Sequence, residues 1–449
     1  MTDGPATASS PAEVPVWFYS FPVGRIGVAP DGALFFRYDD TWLATEGAFP
    51  LSCTMPKSTD VYGTDVISPW IANLLPEEDQ LRILTRSLGL DQSDSLAVLQ
   101  EIGGDTAGAL SFGPLEPDRT PGHIRLTDFY GVDDPDAALA LHIDDLSRRP
   151  FLAGEDGVRQ SLAGGQKKTA LAVLDAQGLP VYRMPGAGDQ LAIPRNGAPS
   201  TVILKPDNPN LPGIVENEVF CLRLAAAIGI RAAETTVITA GSRSALCSLR
   251  YDRRMTRGRG IIRVHQEDFA QANGLPPGRK YERGTIPGLS LGGILDTARI
   301  LPPTDALALI DQVIFNMLVA NTDAHAKNYS ILFPLIPSPR LAPLYDVSSV
   351  LPWPHVNQFH AQNIAGKKRR PGDIAARHWN AIALAQGYRP ADIRRRVQEL
   401  ADAIVAQKIA VITEVSALAG VSAGYVTEAA DMIEANALRI AGRLRKPAM

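Results

Sequence analysis

The stretch Asn321-Thr322-Asp323-Ala324-His325-Ala326-Lys327-Asn328 decides how the rest of this 449-residue chain is read. It follows Ala306–Ala320, which is apolar almost all round and interrupted by Asp311, Gln312 and Asn316, a pattern that predicts a buried central helix. It precedes Tyr329–Phe333, a predicted strand. Asp323 and Asn328 stand in D-x-x-x-x-N spacing. Such a loop between buried elements can point both side chains into one cleft. The aspartate then orients or accepts the proton of an attacking hydroxyl, and the asparagine holds Mg²⁺ on phosphates. Alone, the spacing also describes a polar loop that caps a helix.

Working outward, three further pieces fit the same chemistry. Downstream, Leu344-Tyr345-Asp346-Val347-Ser348 delivers one aspartate after an apolar approach, which suits a second metal ligand or, more blandly, a strand-end turn. Upstream, Thr201-Val202-Ile203-Leu204-Lys205 is a β-branched strand ending in a lysine. That lysine can neutralise α- and β-phosphates or sit as a solvated edge charge. The following helix carries Glu216 and Glu218, and Glu218 is favoured as the acid that pairs with Lys205. Ser161-Leu162-Ala163-Gly164-Gly165-Gln166-Lys167-Lys168-Thr169 is the candidate phosphate loop, because small residues let backbone N–H groups approach phosphate oxygens. It fits neither a Walker A motif, which fails at Leu162 and Lys167, nor the G-x-G-x-x-G of ordinary kinases.

Composition bounds the alternatives. Hydrophobic residues make up 45% and charged residues 20%, as in globular proteins, and the formal net charge of −4 argues against a polycation that coats nucleic acid. Cys53, Cys221 and Cys247 lie far apart, so neither a zinc ribbon nor a disulfide framework is expected. His355 and His360 are badly spaced for a zinc site. No apolar run is long enough to span a membrane and no signal peptide is evident, which predicts a cytoplasmic protein. Residues 1–15 read as a disordered lead-in and 16–115 as a mixed β/α subdomain opening on short strands. Residues 116–250 read as a β-rich lobe, with Pro185–Pro199 as a loop, and 251–449 as a helical lobe.

Taken together, the motifs resemble the HipA family of bacterial toxin serine/threonine kinases. The resemblance spans nearly the whole chain. It includes VGRIGVAPDGALFFRYDDTWL near the N-terminus, NLLPE at Asn73–Glu77 and IGGDTAGAL at Ile102–Leu110. It continues through SLAGGQKKTAL, VILKP, NEVFCLRLAAAIGI, RYDRR and the Gln266–Glu282 stretch to NTDAHAKNYSILF and LYDVSS. It implies an α+β, bilobal protein-kinase-like fold with an extra N-terminal subdomain. It also implies ATP and Mg²⁺ as cofactors and Asp323 as catalytic base, with Asn328 and Asp346 on the metal. Ala163, Gly164, Gly165, Gln166, Lys167, Lys168 and Lys205 would face the phosphates, joined by His325, Lys327 and Tyr345. Leu249, Arg250 and Tyr251 would form the hinge at adenine, and Asp252 would hold the ribose. Ser161 would be an autophosphorylation switch. Two departures stand out: Lys167 replaces an acid of the family loop, and Leu249 stands where glutamate is frequent.

The implied partners are a HipB-like DNA-binding antitoxin and a protein substrate, an aminoacyl-tRNA synthetase in known family cases. Operator DNA would be reached only indirectly, and no membrane is implied. The basic clusters Lys367–Arg370, Arg394–Arg396 and Arg439 to Lys446 are solvated surface or DNA-backbone contacts within such a complex. Two rival readings are a catalytically silent nucleotide-binding co-repressor and a small-molecule or lipid kinase.

Overall fold

The structure, a computed structural model, describes residues 13–258, 260–282, 287–334 and 338–444. The chain opens with strands Glu13–Phe18, Phe21–Val28 and Leu34–Tyr38, joined by tight turns. Alternation in Glu13–Phe18 buries Val14, Val16 and Phe18 on one face. Leu110–Phe112 adds beside the first strand to complete a four-stranded antiparallel sheet. Residues 13–15, expected in the lead-in, therefore belong to the sheet, while 1–12 lie outside the described residues. Helix Thr64–Ala72 packs on Leu34–Tyr38, and Glu78–Leu88 and Ser95–Ile102 follow.

The second sheet is antiparallel. Its order is Thr235–Ala240, Arg243–Leu249, Val202–Pro206, Thr169–Leu174, Gln190–Arg195, Gly122–Arg125, with Pro180–Val181 paired to Thr169–Leu174. Gln190–Arg195 corrects the sequence reading, which placed a loop there. Its Leu-Ala-Ile centre is short and flanked by turn residues, and pairing on both edges makes it a strand. Val202–Pro206 is interior, so Lys205 is no edge charge. Behind the sheet runs helix Ile214–Ala227, buried on most sides.

Helix dominates the remainder, with Pro303–Leu318 at its buried centre. Short strands interrupt it, among them a three-stranded sheet of His265–Asp268, Ser330–Phe333 and Arg340–Leu341. Helices Pro390–Ser416 and Ala423–Gly442 pack back on Ile214–Ala227. Gly213 makes that approach possible: its φ is +77°, and a Cβ there would lie 2.2 Å from the Tyr425 ring. One continuous hydrophobic core joins the N-terminal sheet, helix Ile214–Ala227 and the helical lobe. A second, built on Leu171, Val173, Ile193, Val202 and Leu204, lies on the other face of the second sheet. The N-terminal unit is thus packed into the body of an α+β molecule.

Candidate active site

A cleft opens where the second sheet meets the helical lobe. Lys205 Nζ donates to Glu218 Oε1 and to Asp346 Oδ1, each at 2.7 Å. The Lys205 register and the helix phase bring Glu218 rather than Glu216 to the lysine. Burial disfavours the Lys205 charge, but Asp346 and Glu218 outweigh it and hold the ammonium protonated. Burial likewise pushes Asp346 up, yet Lys205 and Lys168 keep its carboxyl well below the usual carboxylate range. Glu218 is pushed up by burial against the pull of Lys205. Asp346 has φ +58°, a left-handed conformation rare for a non-glycine residue and frequent at functional sites. Asn217 holds the segment there: its Nδ2 donates to Ser349 O at 3.0 Å and its Oδ1 accepts from Ser349 N–H at 2.7 Å.

The opposite wall is the Asp323 loop. It leaves helix Pro303–Leu318 through Ala320 at φ +59°. Asn321 Nδ2 donates to Asn316 Oδ1 at 2.9 Å, and Asn321 Oδ1 accepts from the Asp323 N–H at 3.1 Å. Asp323 is exposed to the cleft, and Tyr281 Oη donates to its Oδ1 at 2.6 Å. Asn328 Nδ2 donates to the carbonyls of Asp323 at 3.1 Å and Asp346 at 3.4 Å, so both carboxylate segments converge on it.

Between these walls lies the loop of Ala163, Gly164, Gly165, Gln166 and Lys168, all lining the cleft. Gly164 has φ +105°, and a Cβ there would meet Lys168 Nζ at 2.9 Å. Burial lowers the Lys168 ammonium to about 8. Lys167 turns away, donating to Ser147 Oγ at 2.8 Å, and does not line the cleft. Its family departure therefore falls outside the pocket. Ser161 is fully buried and its Oγ donates to Leu74 O at 2.6 Å. At the far end Ile203, Leu249, Tyr251 and Tyr345 supply apolar and aromatic surface, with the two tyrosine rings 5.2 Å apart.

Three expected nucleotide residues have protein partners of their own. Arg250 and Asp252 border the cleft, but their charged ends turn into a sealed cluster. Arg250 Nη2 meets Asp252 Oδ2 at 2.7 Å, and Asp252 also takes Arg253 at 3.0 Å and the Gly108 N–H at 2.7 Å. The Asp252 carboxylate is thus engaged chiefly by arginines. Lys327 is buried and donates to Asn73 Oδ1 and Asp268 Oδ2, both at 2.7 Å. His325 is buried with Nδ1 unpartnered among the described residues; burial and Lys280 push it down to about 3, so the ring is neutral. Sequence reasoning overlooked Asn217, Tyr281, Lys280, Asn73 and Glu77. All five lie inside quoted motifs, but nothing local to them says which partners their side chains reach.

Among the described residues no group of three or more His, Cys, Asp or Glu side chains could hold a metal. Asp346 with Asn328 fits an ion that takes one carboxylate and completes its shell with phosphate oxygens and water, as Mg²⁺ does.

Comparison with known proteins identifies the family. The HipA N-terminal domain matches residues 14–113, and the HipA-like C-terminal domain matches residues 160–408. The chain belongs to the HipA family. A putative kinase, Y4mE, of Sinorhizobium fredii is 35% identical over 424 residues, 94% of this chain and 97% of that protein. The serine/threonine-protein kinase toxin HipA of Shewanella oneidensis is 32% identical over 331 residues, 70% of this chain and 69% of that one. The solved complex of HipA, HipB and operator DNA from Shewanella oneidensis contains a chain that superposes with a TM-score of 0.79 at 26% identity, covering 96% of this chain and 97% of that one. The α+β fold is therefore that of HipA along nearly the whole length. Among the described residues no helix is long and apolar enough to cross a membrane.

Proposed function

We propose that this HipA-family chain is an ATP- and Mg²⁺-dependent serine/threonine protein kinase, the toxin of a toxin–antitoxin module. The observation that carries the reading is the convergence of Lys205, Glu218, Asp323, Asn328 and Asp346 on one cleft beside a glycine loop. Phosphoryl transfer asks little covalent chemistry of a protein and much positioning and charge neutralisation. Bound Mg²⁺ supplies charge neutralisation on the phosphates, held by Asp346 and Asn328. Lys205 and Lys168 supply fixed positive charge, and loop N–H groups supply further donors. Asp323 takes the proton of the attacking hydroxyl as its oxygen–phosphorus bond forms and the bond to the departing ADP breaks. Tyr281 orients the Asp323 carboxylate from its other side. Leu249 and Tyr251 flank the base through backbone and ring surface.

By the family resemblance the acceptor is an aminoacyl-tRNA synthetase, and Ser161 is the site of self-modification. Ser161 is fully buried here, so its phosphorylation requires the loop to leave its place and surrender the bond to Leu74. A HipB-like antitoxin, suggested by the Shewanella complex, is the proposed partner, with operator DNA reached through it and the cytoplasm as the setting. Arg369, Arg377 and Arg443 lie close enough to the buried His378 to help burial push it down to about 4. Lys367 and Lys368 stand exposed nearby in sequence, while Arg445 and Lys446 lie outside the described residues. Arg395 and Arg396 instead pair with Asp392, Asp311 and Glu399.

Phosphoproteomics after brief expression, wild type against Asp323→Asn, tests the proposal. New phosphoserine or phosphothreonine on a translation component in wild type alone supports it. Growth arrest in both without new phosphosites favours the silent co-repressor reading.

A further inference from the structure

In an ordinary two-lobed arrangement the phosphate loop and the catalytic loop belong to different lobes and meet only across nucleotide. Here the N-terminal subdomain reaches between them. Its segment Asn73–Glu78 joins helix Thr64–Ala72 to helix Glu78–Leu88, and Asn73, Glu77 and Glu78 all line the cleft. On one side it grips the phosphate loop: Pro76 bridges Gly164 as a parallel pair, the Glu77 N–H donates to Gly164 O at 3.2 Å, and Ser161 Oγ donates to Leu74 O. On the other side it grips the catalytic loop. Lys327 Nζ, between Asp323 and Asn328 in sequence, donates to Asn73 Oδ1 at 2.7 Å and to Asn73 O at 3.1 Å. Glu77 Oε2 accepts from Lys280, whose own carbonyl accepts the Ala326 N–H.

Two details show that the segment is held in a set conformation. Glu78 has φ +50°, strained for a non-glycine residue, at the point where the chain enters its helix. Glu77 Oε1 is buried without a hydrogen-bond partner among the described residues and lies 4.0 Å from Lys327 Nζ. A buried carboxylate oxygen in that state is costly unless neighbouring ammonium groups compensate it. Asn73 is anchored in turn, its Nδ2 donating to Pro69 O at 2.8 Å and to Leu275 O at 2.7 Å.

From this geometry we infer that Asn73 and Glu77 are positioning residues for phosphate transfer: the N-terminal subdomain clamps the phosphate loop and the catalytic loop to one another through Gly164 on one side and Lys327 and Lys280 on the other. Lys327 then serves to hold the loop that carries Asp323 and Asn328, and its charge is spent on Asn73 and Asp268 rather than on phosphate. The inference rests on the kinase reading of the cleft. It adds that the site is complete only with residues from a third unit of the fold.

The test uses the full-length chain and the variants Asn73→Ala, Asn73→Asp and Glu77→Gln. Phosphate transfer at saturating and limiting ATP is read beside hydrogen exchange of the nucleotide-free protein. Misplacing reacting groups by about an ångström costs about 10²-fold in rate. Asn73→Ala should therefore lose about 10²-fold in kcat while KM for ATP moves less than about threefold, and amides of 161–168 and 323–328 should both exchange faster. Asn73→Asp keeps the oxygen that faces Lys327 but sets its second oxygen against the Pro69 and Leu275 carbonyls, so it should recover only part of the rate; Glu77→Gln, which keeps shape, should fall between Asn73→Ala and wild type. Unchanged kcat in a folded Asn73→Ala would overturn the clamp. If wild type transfers no phosphate, the kinase reading fails on its own. Exchange then decides the clamp alone: acceleration in both loops supports it, and no change in either contradicts it.

Discussion

Two buried ion clusters lie close together in this molecule, built from the same kinds of residue and put to different uses. In one, Asp105 and Asp252 face Arg250, Arg253 and Arg263, and every side chain is between 0 and 6% exposed. Asp105 also accepts from the Ser200 N–H and hydroxyl, so its oxygens are saturated. In the other, Lys205 and Glu218 are nearly as buried, but Asp346 keeps 41% of its side chain open to the cleft. The sealed cluster fastens the Gly103–Gly108 region to the strands after residue 249 and has nothing left to offer a ligand. The open cluster leaves the Asp346 carboxylate on the cleft wall, with Lys168, whose Nζ donates to Ala163 O at 2.5 Å, lining the same cleft. Charge and burial alone do not mark a functional site; an unfinished set of partners does.

The largest effect that separates the two should come from the sealed side. Asp105→Ala leaves buried guanidinium groups uncompensated, which costs about 3–5 kcal/mol. Thermal unfolding should drop steeply, and any molecules that remain folded should bind nucleotide as wild type does. A variant with unaltered melting would show that the cluster is not structural.

Asp346→Ala should do the reverse. Its melting temperature should stay close to wild type, because Lys205 retains Glu218, while ATP affinity in Mg²⁺ should fall by about 10-fold or more. Calorimetry with and without Mg²⁺ reads this. Equal losses in both conditions would remove Asp346 from the metal.

A smaller effect sharpens the role of Lys168. In the free protein its ammonium titrates near 8, lowered by burial and Lys205 and supported by Asp346 and Glu77. Phosphate anions beside it favour the protonated form, so binding above that pH takes up a proton. ATP affinity should hold steady below pH 7 and decline as pH rises through about 8, and Lys168→Met should flatten the decline.

Glu267 gives the smallest and subtlest case, a buried carboxylate at the subdomain interface held by Ser52 Oγ at 2.6 Å and the Cys53 N–H at 2.7 Å. Burial pushes it up to about 7. The folded state therefore binds the proton more tightly than the unfolded chain, and its contribution to stability is full below about pH 4.5 and is lost as pH rises through about 7. Glu267→Gln should raise the melting temperature by a few degrees at pH 8 and change it little at pH 5, seen by calorimetry at the two pH values.

How far the sequence carries this picture depends on the range of each interaction. Asp323, Asn328, Lys205 and Asp346 are legible because each sits at the end of a local apolar pattern, and helical phase singles out Glu218 from Glu216. The ion cluster that takes up the charged ends of Arg250 and Asp252 is not legible, because it depends on Asp105, Gly108 and Ser200, which the sequence does not place beside them. Strand Gln190–Arg195 hides among turn residues, since only its two neighbouring strands make it one. Asn73 and Glu77 stand in a quoted motif, yet nothing local says that they touch the catalytic loop.

The central claim is that the open cluster transfers phosphate, and incubation with γ-labelled ATP and Mg²⁺ tests it most directly. Wild type should pass label to protein, either itself or an added synthetase. Asp323→Asn should still bind ATP but transfer about 10² to 10⁴ times more slowly, the usual cost of losing a positioned base. Equal labelling by the two proteins, or none by wild type while it binds ATP, would contradict the account.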